Sequence, residues 1–241
     1  MLGIINKIID FVLPNRCLAC GKTINSCDAL CNECFSKITF ISEPYCDCCG
    51  MPLSKTISDG SKYCISCLEE KKRKLIRRAR ACVVYDGFSK KIILDFKFFD
   101  HIENKKLLVN WMNIAGKDIF KNEIDLIIPV PLHYTRLLKR KYNQSAILAT
   151  ELAKLKNIEV NLKCLKKQKI TIPQVQCSGR ERKKNVKGSF CVTDFNAVKG
   201  KRIVLIDDVY TTGATILECA KVLKKAGAKS IDALTIARVT L

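Results

Sequence analysis

Residues Arg202 to Thr215 read RIVLIDDVYTTGAT. Four apolar residues, Ile203 to Ile206, lead directly into Asp207 and Asp208, and a small hydroxyl-rich segment, Thr211-Thr212-Gly213-Ala214-Thr215, follows. A short aliphatic run bounded by turn residues predicts a buried strand, and the pattern TILECAKVLKKAG after it predicts an amphipathic helix closed at Gly227. Strand, tight turn and helix in that order are the building unit of a parallel sheet covered on both faces. The two acids then stand at the end of the strand, on the carboxyl side of the sheet where ligands of such folds bind. The turn amides and the start of the helix near Ala214 favour an anion, and Thr211, Thr212 and Thr215 add hydroxyl donors. Carboxylates repel that anion. They suit neutral hydroxyls beside it, or Mg2+ held through water. A sugar phosphate has this polarity, with phosphate in the turn and ribose hydroxyls on Asp207 and Asp208. No G-x-x-x-x-G-K-[ST] segment supports a P-loop ATPase.

The preceding chain alternates in the same manner. ACVVYD and IDLIIPVP predict buried strands, and Ser89 to Phe120 predicts helical segments broken near Asp100-His101. NQSAILATELAKL predicts a helix capped by Asn143. IEVNLKCLKK predicts a further strand, Lys166 to Asn185 a long polar loop, and SIDALTIARV a final strand.

Eleven of the fifteen cysteines precede residue 83. Cys17-x2-Cys20 is followed by Cys31-x2-Cys34, and Cys46-x2-Cys49 by Cys64-x2-Cys67. A tetrahedral Zn2+ site needs four converging thiolates, and a CxxC turn supplies two to one side. These eight cysteines therefore predict two structural zinc sites in a zinc-ribbon module, paired either sequentially or as an interleaved cross-brace. Cys27 and Cys48 fall off the CxxC frame, and Cys82, Cys164, Cys191 and Cys219 read as buried reduced cysteines. The expected organisation is residues 1–70 for an N-terminal helix and double zinc ribbon, then 71–241 for the α/β domain. The opening MLGIINKIIDFVLP has helical apolar spacing, suits a docking helix or a membrane-surface anchor, and makes a poor signal peptide. With no apolar run of the ~18 residues a membrane span requires, the chain is expected to be cytoplasmic.

The formal net charge is +20, and eight thiolates with two Zn2+ bring it to about +16. The excess is localised: Val130 to Cys191 carries 15 Lys/Arg against 3 acids, whereas Ala81 to Pro129 carries 7 of each. Phosphate-bearing ligands or nucleic acid are the corresponding partners.

IVLIDDVYTTGAT resembles the 5-phosphoribosyl-1-diphosphate (PRPP) motif of type I phosphoribosyltransferases. The resemblance implies that Asp207 and Asp208 take the ribose hydroxyls and that Thr211, Thr212, Gly213, Ala214 and Thr215 wrap the 5′-phosphate, with Mg2+ accompanying PRPP. Two zinc ribbons ahead of such a domain resemble the ComF/ComFC family of competence proteins. PVPLHYTRLLKRKYNQS, QVQCSGRERKKNVKGSF and Lys97 in LDFKFFD are similar to that family's further signatures. The resemblance implies a phosphoribosyltransferase-like α/β fold and a role in DNA uptake during natural transformation. It also implies contact with single-stranded DNA, and with a DNA-translocating helicase or membrane channel protein.

The turn Leu132-His133 after IDLIIPVP can approach a pyrophosphate. Arg136 and Arg140, four residues apart, share one helical face. Arg182, Lys183, Lys184 and Lys187 can close over PRPP or clamp a nucleic-acid backbone. Taken singly, each is a solvated surface charge. Tyr142, Phe190, Tyr45 and Tyr63 can stack bases. An active transferase acting on a base, nucleotide or nucleic-acid acceptor is the alternative reading, and no catalytic base stands out.

Overall fold

The computed structural model describes residues 15–25, 29–53, 62–68, 74–98, 104–169 and 185–240. The elements in chain order are α1 (Asn32–Phe35), α2 (Ile65–Leu68), β1 (Ala79–Val84), α3 (Gly87–Phe98), α4 (Lys105–Ala115), α5 (Lys117–Phe120) and β2 (Leu126–Pro129). There follow α6 (Tyr134–Arg140), α7 (Gln144–Lys156), β3 (Leu165–Lys167), β4 (Phe190–Val192), β5 (Arg202–Tyr210), α8 (Ala214–Lys225) and β6 (Ser230–Arg238). No helix among the described residues is long and apolar enough to cross a membrane.

The main sheet has order β1-β6-β5-β2, and each neighbouring pair is parallel. Its strands are apolar on both sides because both faces are covered. Ile203 and Leu205 pack into a core shared with Ile216, Ala220 and Leu223 of α8. Val204 and Ile206 point the other way, into a core shared with Ile92, Leu108, Met112 and Leu152 from α3, α4 and α7. At the amino end, Arg202 grips Asp125 through Nε (2.8 Å) and Nη2 (2.7 Å), joining β5 to the approach of β2.

Two expectations are corrected here. The acids do not end the strand: β5 continues through Asp207 and Asp208, with Val209 opposite Ala237 and Tyr210 opposite Arg238. Pairing to β6 carries the ladder past the polar pair. The predicted strand IEVNLKCLKK is also broken. Val160 makes a single parallel bridge to Ile127, and Leu165–Lys167 pairs instead with β4, antiparallel and off the main sheet. Asn161 causes the break, since its Oδ1 accepts from the amides of Lys163 and Cys164 (2.9 Å each) and bends the chain.

The cysteine module is a structural repeat. In each half a CxxCG knuckle closes on a left-handed glycine, Gly21 (φ 75°) or Gly50 (φ 68°), whose amide donates to Cys17 or Cys46. In each half the second CxxC opens a one-turn helix, α1 or α2. The second half is built into the α/β core. The Ala79 amide donates to the Cys48 carbonyl (2.7 Å), and Cys46, Cys48, Cys49 and Cys67 pack with Leu205 and Tyr210. At Gly50 a Cβ would stand 2.6 Å from the Ala79 carbonyl oxygen, so only glycine fits the junction. The segment after the first half runs along the same edge strand, β1, nearer its carboxyl end: Val84 N donates to Thr39 O (2.8 Å) and Ile41 N to Cys82 O (2.9 Å).

Candidate functional site

The site forms where β5 and β2 run side by side. Val130 N donates to Ile206 O (2.8 Å), which brings the segment after β2, with Leu132 and His133, beside Asp207. Asn143 fixes the next helix: its Oδ1 accepts from Ser145 N (3.1 Å) and its amide donates to Val130 O (3.1 Å). The buried Ser145 hydroxyl then donates to Asp207 Oδ1 (3.1 Å), which also accepts from the Asp208 amide (3.0 Å). Asp207 is thus held on one oxygen by α7 and its own backbone. Both acids are half-buried.

The turn after Tyr210 is shaped by close packing. Gly213 has φ 77° and caps α8, and its carbonyl accepts from Leu217 N (2.8 Å). A Cβ there would fall 2.2 Å from the Tyr210 phenol oxygen. Tyr210 is 2% exposed and cannot yield. The Arg238 guanidinium lies 4.5 Å from the Tyr210 ring centroid and donates through Nη1 to Cys49 O (2.6 Å). One buried cation therefore touches both the second cysteine set and the aromatic floor of the turn. Gly213→Ala is expected to cost about 2 kcal/mol or more from left-handed strain and the clash. The measurable effects are a Tm lower by roughly 4–8 °C and a displaced turn.

The expected positions fall as follows. Asp207, Asp208, Thr211–Thr215, Leu132 and His133 belong to β5, the turn, α8 and the β2–α6 segment, which adjoin at one end of the sheet. His133 is buried as the N-cap of α6, its Nδ1 2.9 Å from Thr135 Oγ1. Arg136 and Arg140 share α6 and sense one another, since burial and then Arg140 hold the Arg136 guanidinium below its ordinary value. Arg140 Nη1 donates to Gln144 Oε1 (3.5 Å). Lys187 is exposed, and Arg182, Lys183 and Lys184 lie outside the described residues, as do His101 and the opening segment. Phe190 cannot stack on a base: it is buried, and the Lys167 ammonium sits 5.4 Å from its ring centroid. Tyr142 spends its hydroxyl on Phe96 O (2.9 Å). Tyr45 is covered by the Arg80 guanidinium, 4.7 Å from its ring centroid.

Sequence reasoning passed over Ser145, Tyr210, Arg238 and Lys167. Burial first and Arg136 second lower the Lys167 pKa, against Cys219 and Asp207, and leave it at about 8. Lys167 is half-buried, and its ammonium lies over the Phe190 ring.

Both cysteine sets suit Zn2+. Cys17, Cys20, Cys31 and Cys34 have sulfurs within 4.8 Å of one another, as do Cys46, Cys49, Cys64 and Cys67, so pairing is sequential. Cys20 and Cys31 Sγ are 3.7 Å apart and Cys49 and Cys64 Sγ 3.6 Å, close to the ~3.8 Å edge that a Zn–S bond of about 2.3 Å gives a tetrahedron. Burial raises the Cys17 thiol, but amide donors led by Cys31 N–H (3.2 Å) outweigh it and leave its pKa at about 6, ready to be a thiolate. The bound ion's contribution is structural: it holds each half together where apolar burial is small.

The family models matched by this chain agree with these two parts. The family described as Double zinc ribbon domain matches residues 8–68, and that described as Phosphoribosyl transferase domain matches residues 137–239. Competence protein F of Haemophilus influenzae is 29% identical over 231 residues, 92% of this chain and 96% of the relative. Competence protein ComFC of Bacillus subtilis is 27% identical over 222 residues, 88% and 85% of the two chains. The chain thus combines a double zinc ribbon with a phosphoribosyltransferase domain, and over most of its length it is similar to proteins named competence protein F and ComFC. DNA utilization protein YhgH of Escherichia coli K12 is 32% identical to this chain over 114 residues, 47% of it and 49% of the relative. Solved structures similar to it include glutamine PRPP amidotransferase of B. subtilis (TM-score 0.37, 21% identity, 58% of this chain and 30% of that one). Adenine phosphoribosyltransferase of Thermoanaerobacter pseudethanolicus is another (TM-score 0.36, 16% identity, 57% and 82%). The matched phosphoribosyl transferase domain and the parallel sheet make the fold of the α/β part phosphoribosyltransferase-like, and the relatives similar over most of the chain are named competence proteins.

Proposed function

We propose that this protein binds PRPP with Mg2+ at the carboxyl end of β5 and single-stranded DNA on its basic surface, serving DNA uptake on the cytoplasmic side of the membrane. The observation that carries the PRPP reading is the held acid pair followed by a glycine-capped turn. Asp207, anchored by Ser145 on Oδ1, presents its carboxylate to one ribose hydroxyl, and Asp208 takes the neighbouring one. The Thr211–Thr215 turn receives the 5′-phosphate on its amides and hydroxyls at the start of α8. Lys167 and Arg136 suit the pyrophosphate arm, with Leu132 and His133 forming the adjacent wall. Mg2+, when bound, neutralises the diphosphate. Arg140 and Lys187 add cations that phosphodiesters or pyrophosphate would meet, and Arg182, Lys183 and Lys184 add charge next to Lys187 in sequence.

The same set favours a second reading, phosphoribosyl transfer, because cations placed at a diphosphate stabilise it as a leaving group. Release of pyrophosphate on adding candidate acceptors tests it.

A thermal-shift series tests the ligand. PRPP with Mg2+ at one hundred times its Kd should stabilise the protein by about 2.7 kcal/mol. Ribose 5-phosphate, which lacks the diphosphate, should stabilise it less. Equal shifts from any phosphate would contradict a site built for PRPP. The affinity should also follow Lys167. A lysine with a pKa of about 8 is charged below that pH and loses its proton above it. PRPP binding should be level up to about pH 7.5 and weaken by up to about tenfold between pH 8 and 9. Lys167→Met should bind more weakly and lose that dependence, which titration calorimetry across the pH range would show.

A further inference from the structure

A second feature lies at the opposite end of the sheet. Arg77 and Arg78 precede β1, Arg80 is its second residue, Ser230 and Ile231 open β6, and Lys224 lies in the last turn of α8. Between these amino ends and the second zinc half is a cavity of about 740 Å³ whose wall includes Lys74, Arg77, Arg78, Lys121, Lys224 and Tyr63. The row of Ser230, paired with Arg202, is five residues from the row of Asp207. At about 3.3 Å per residue the two places are some 16 Å apart, so this cavity is separate from the crevice that holds the acid pair.

Its charge is directed. Arg80 also lines it, which gives six cations against Asp47 and Asp118 in the wall and Asp232 behind Arg77. The local balance is +3, and it stays positive when the −2 of a zinc-loaded second site is added. Arg80 is buried and bonded to Asp118 and to the Asp47 and Ala79 carbonyls, whereas Arg77 and Arg78 are oriented by acids and keep donors. Arg77 donates to Asp232 through Nε (3.1 Å) and Nη2 (2.5 Å), and its Nη1 makes no hydrogen bond among the described residues. Arg78 donates through Nη1 to Asp118 O (2.7 Å), leaving Nε and Nη2 for a ligand. A guanidinium pinned on one edge presents its other donors in a fixed direction, the arrangement that suits a phosphate. Lys74 and Lys121 are exposed on the same rim, and the half-buried Tyr63 supplies an aromatic surface beside them.

We propose that this cavity is a nucleic-acid site, taking the phosphodiester backbone of single-stranded DNA on Arg77, Arg78, Lys74 and Lys121 and a base against Tyr63. It rests on the reading that the protein binds single-stranded DNA, and it places that strand away from the PRPP crevice. Cations along a groove with an aromatic wall are what sequence-independent single-strand binding requires.

The test uses the zinc-loaded full chain and a fluorescein-labelled oligothymidylate, with anisotropy read over a sodium chloride series. Lys74→Gln/Lys121→Gln should weaken binding at least tenfold at low salt. It should also reduce the slope of log affinity against log salt by about 1.4, two phosphate contacts at about 0.7 each. Tyr63→Leu should weaken binding about tenfold while leaving the slope unchanged, because stacking releases no counterions. Lys90→Gln/Lys91→Gln, an exposed pair on α3, is the equal-charge control and should change little. If the cavity variants bind as the unaltered protein does, or lose no more than the control, the site is wrong although the protein binds DNA. If the unaltered protein does not bind the oligomer, the DNA reading falls and the site with it. PRPP binding should be the same in all these variants, and a loss there in the cavity variants would mean that the two places are not separate.

Discussion

Asp207→Asn/Asp208→Asn is expected to abolish measurable PRPP binding while the protein stays folded. Neither acid is fully buried, and neither supports the core: Ile203 to Ile206 do that, one turn of the pleat earlier. The substitution preserves shape and, at Asp207, preserves an acceptor for Ser145 Oγ and the Asp208 amide. It removes two negative charges that face the ribose hydroxyls and the accompanying cation. A hydrogen bond to a charged group is worth about 1.5–3 kcal/mol, so the pair accounts for roughly two to four orders of magnitude in affinity. Binding to single-stranded DNA should hold or rise slightly, since the change removes repulsion. A double variant that kept PRPP affinity within about threefold would mean that the acids serve the sheet rather than the ligand. Ser145→Ala should give a smaller loss, about tenfold or less, because it frees Asp207 to turn without removing its charge.

The second large effect concerns zinc. The two cysteine halves look equivalent in sequence, but they are attached differently. Cys17, Cys31 and Cys34 form a small cluster of their own. Cys46, Cys49 and Cys67 belong to the core that contains Leu205, Tyr210 and Ile216. Arg238 ties the Cys49 carbonyl to the Tyr210 ring, and Tyr210 sets the conformation of Gly213. Loss of a structural zinc ligand forfeits most of a binding free energy of about 10–16 kcal/mol. Cys17→Ser should therefore unfold the first half locally, with PRPP affinity within about threefold of the original. Cys49→Ser should lower the Tm of the whole protein by more than 10 °C and weaken PRPP binding at least tenfold. Zinc content by mass spectrometry, about one ion per chain in each variant, would confirm that a single site was lost each time. Equal effects from the two substitutions would show that the second site is not coupled to the turn.

The parts legible in the sequence are those whose cause is local. The eight zinc ligands are set by CxxC spacing, and the helix start at Asn143 by one side chain bonding two residues on. The buried strand of Ile203 to Ile206 is legible because both faces of a covered sheet demand apolar residues. The parts that were not legible come from distant pairing. Nothing in VYTT signals that β5 runs on to Tyr210, because β6 supplies the ladder there. Asn161 looked like a tolerated polar residue in a strand, but its side chain captured two amides and turned the chain. That turn leads into β3, which places Lys167 over Phe190 near Asp207; in sequence Lys167 was one lysine among many in a polar loop. Arg238 looked like the polar end of a last strand, yet it is 2% exposed and bridges the zinc half to the ligand turn. Phe190 failed as a stacking residue for the converse reason: a large aromatic next to a new strand pair is more useful to the core than to solvent.

The most direct measurement is calorimetric titration of PRPP with Mg2+ into the zinc-loaded protein, run beside the Asp207→Asn/Asp208→Asn variant. Saturable binding near one ligand per chain in the first and none in the second is the predicted result. No heat of binding in the unaltered protein, or equal binding in both, would contradict the assignment of the acid pair to the ribose.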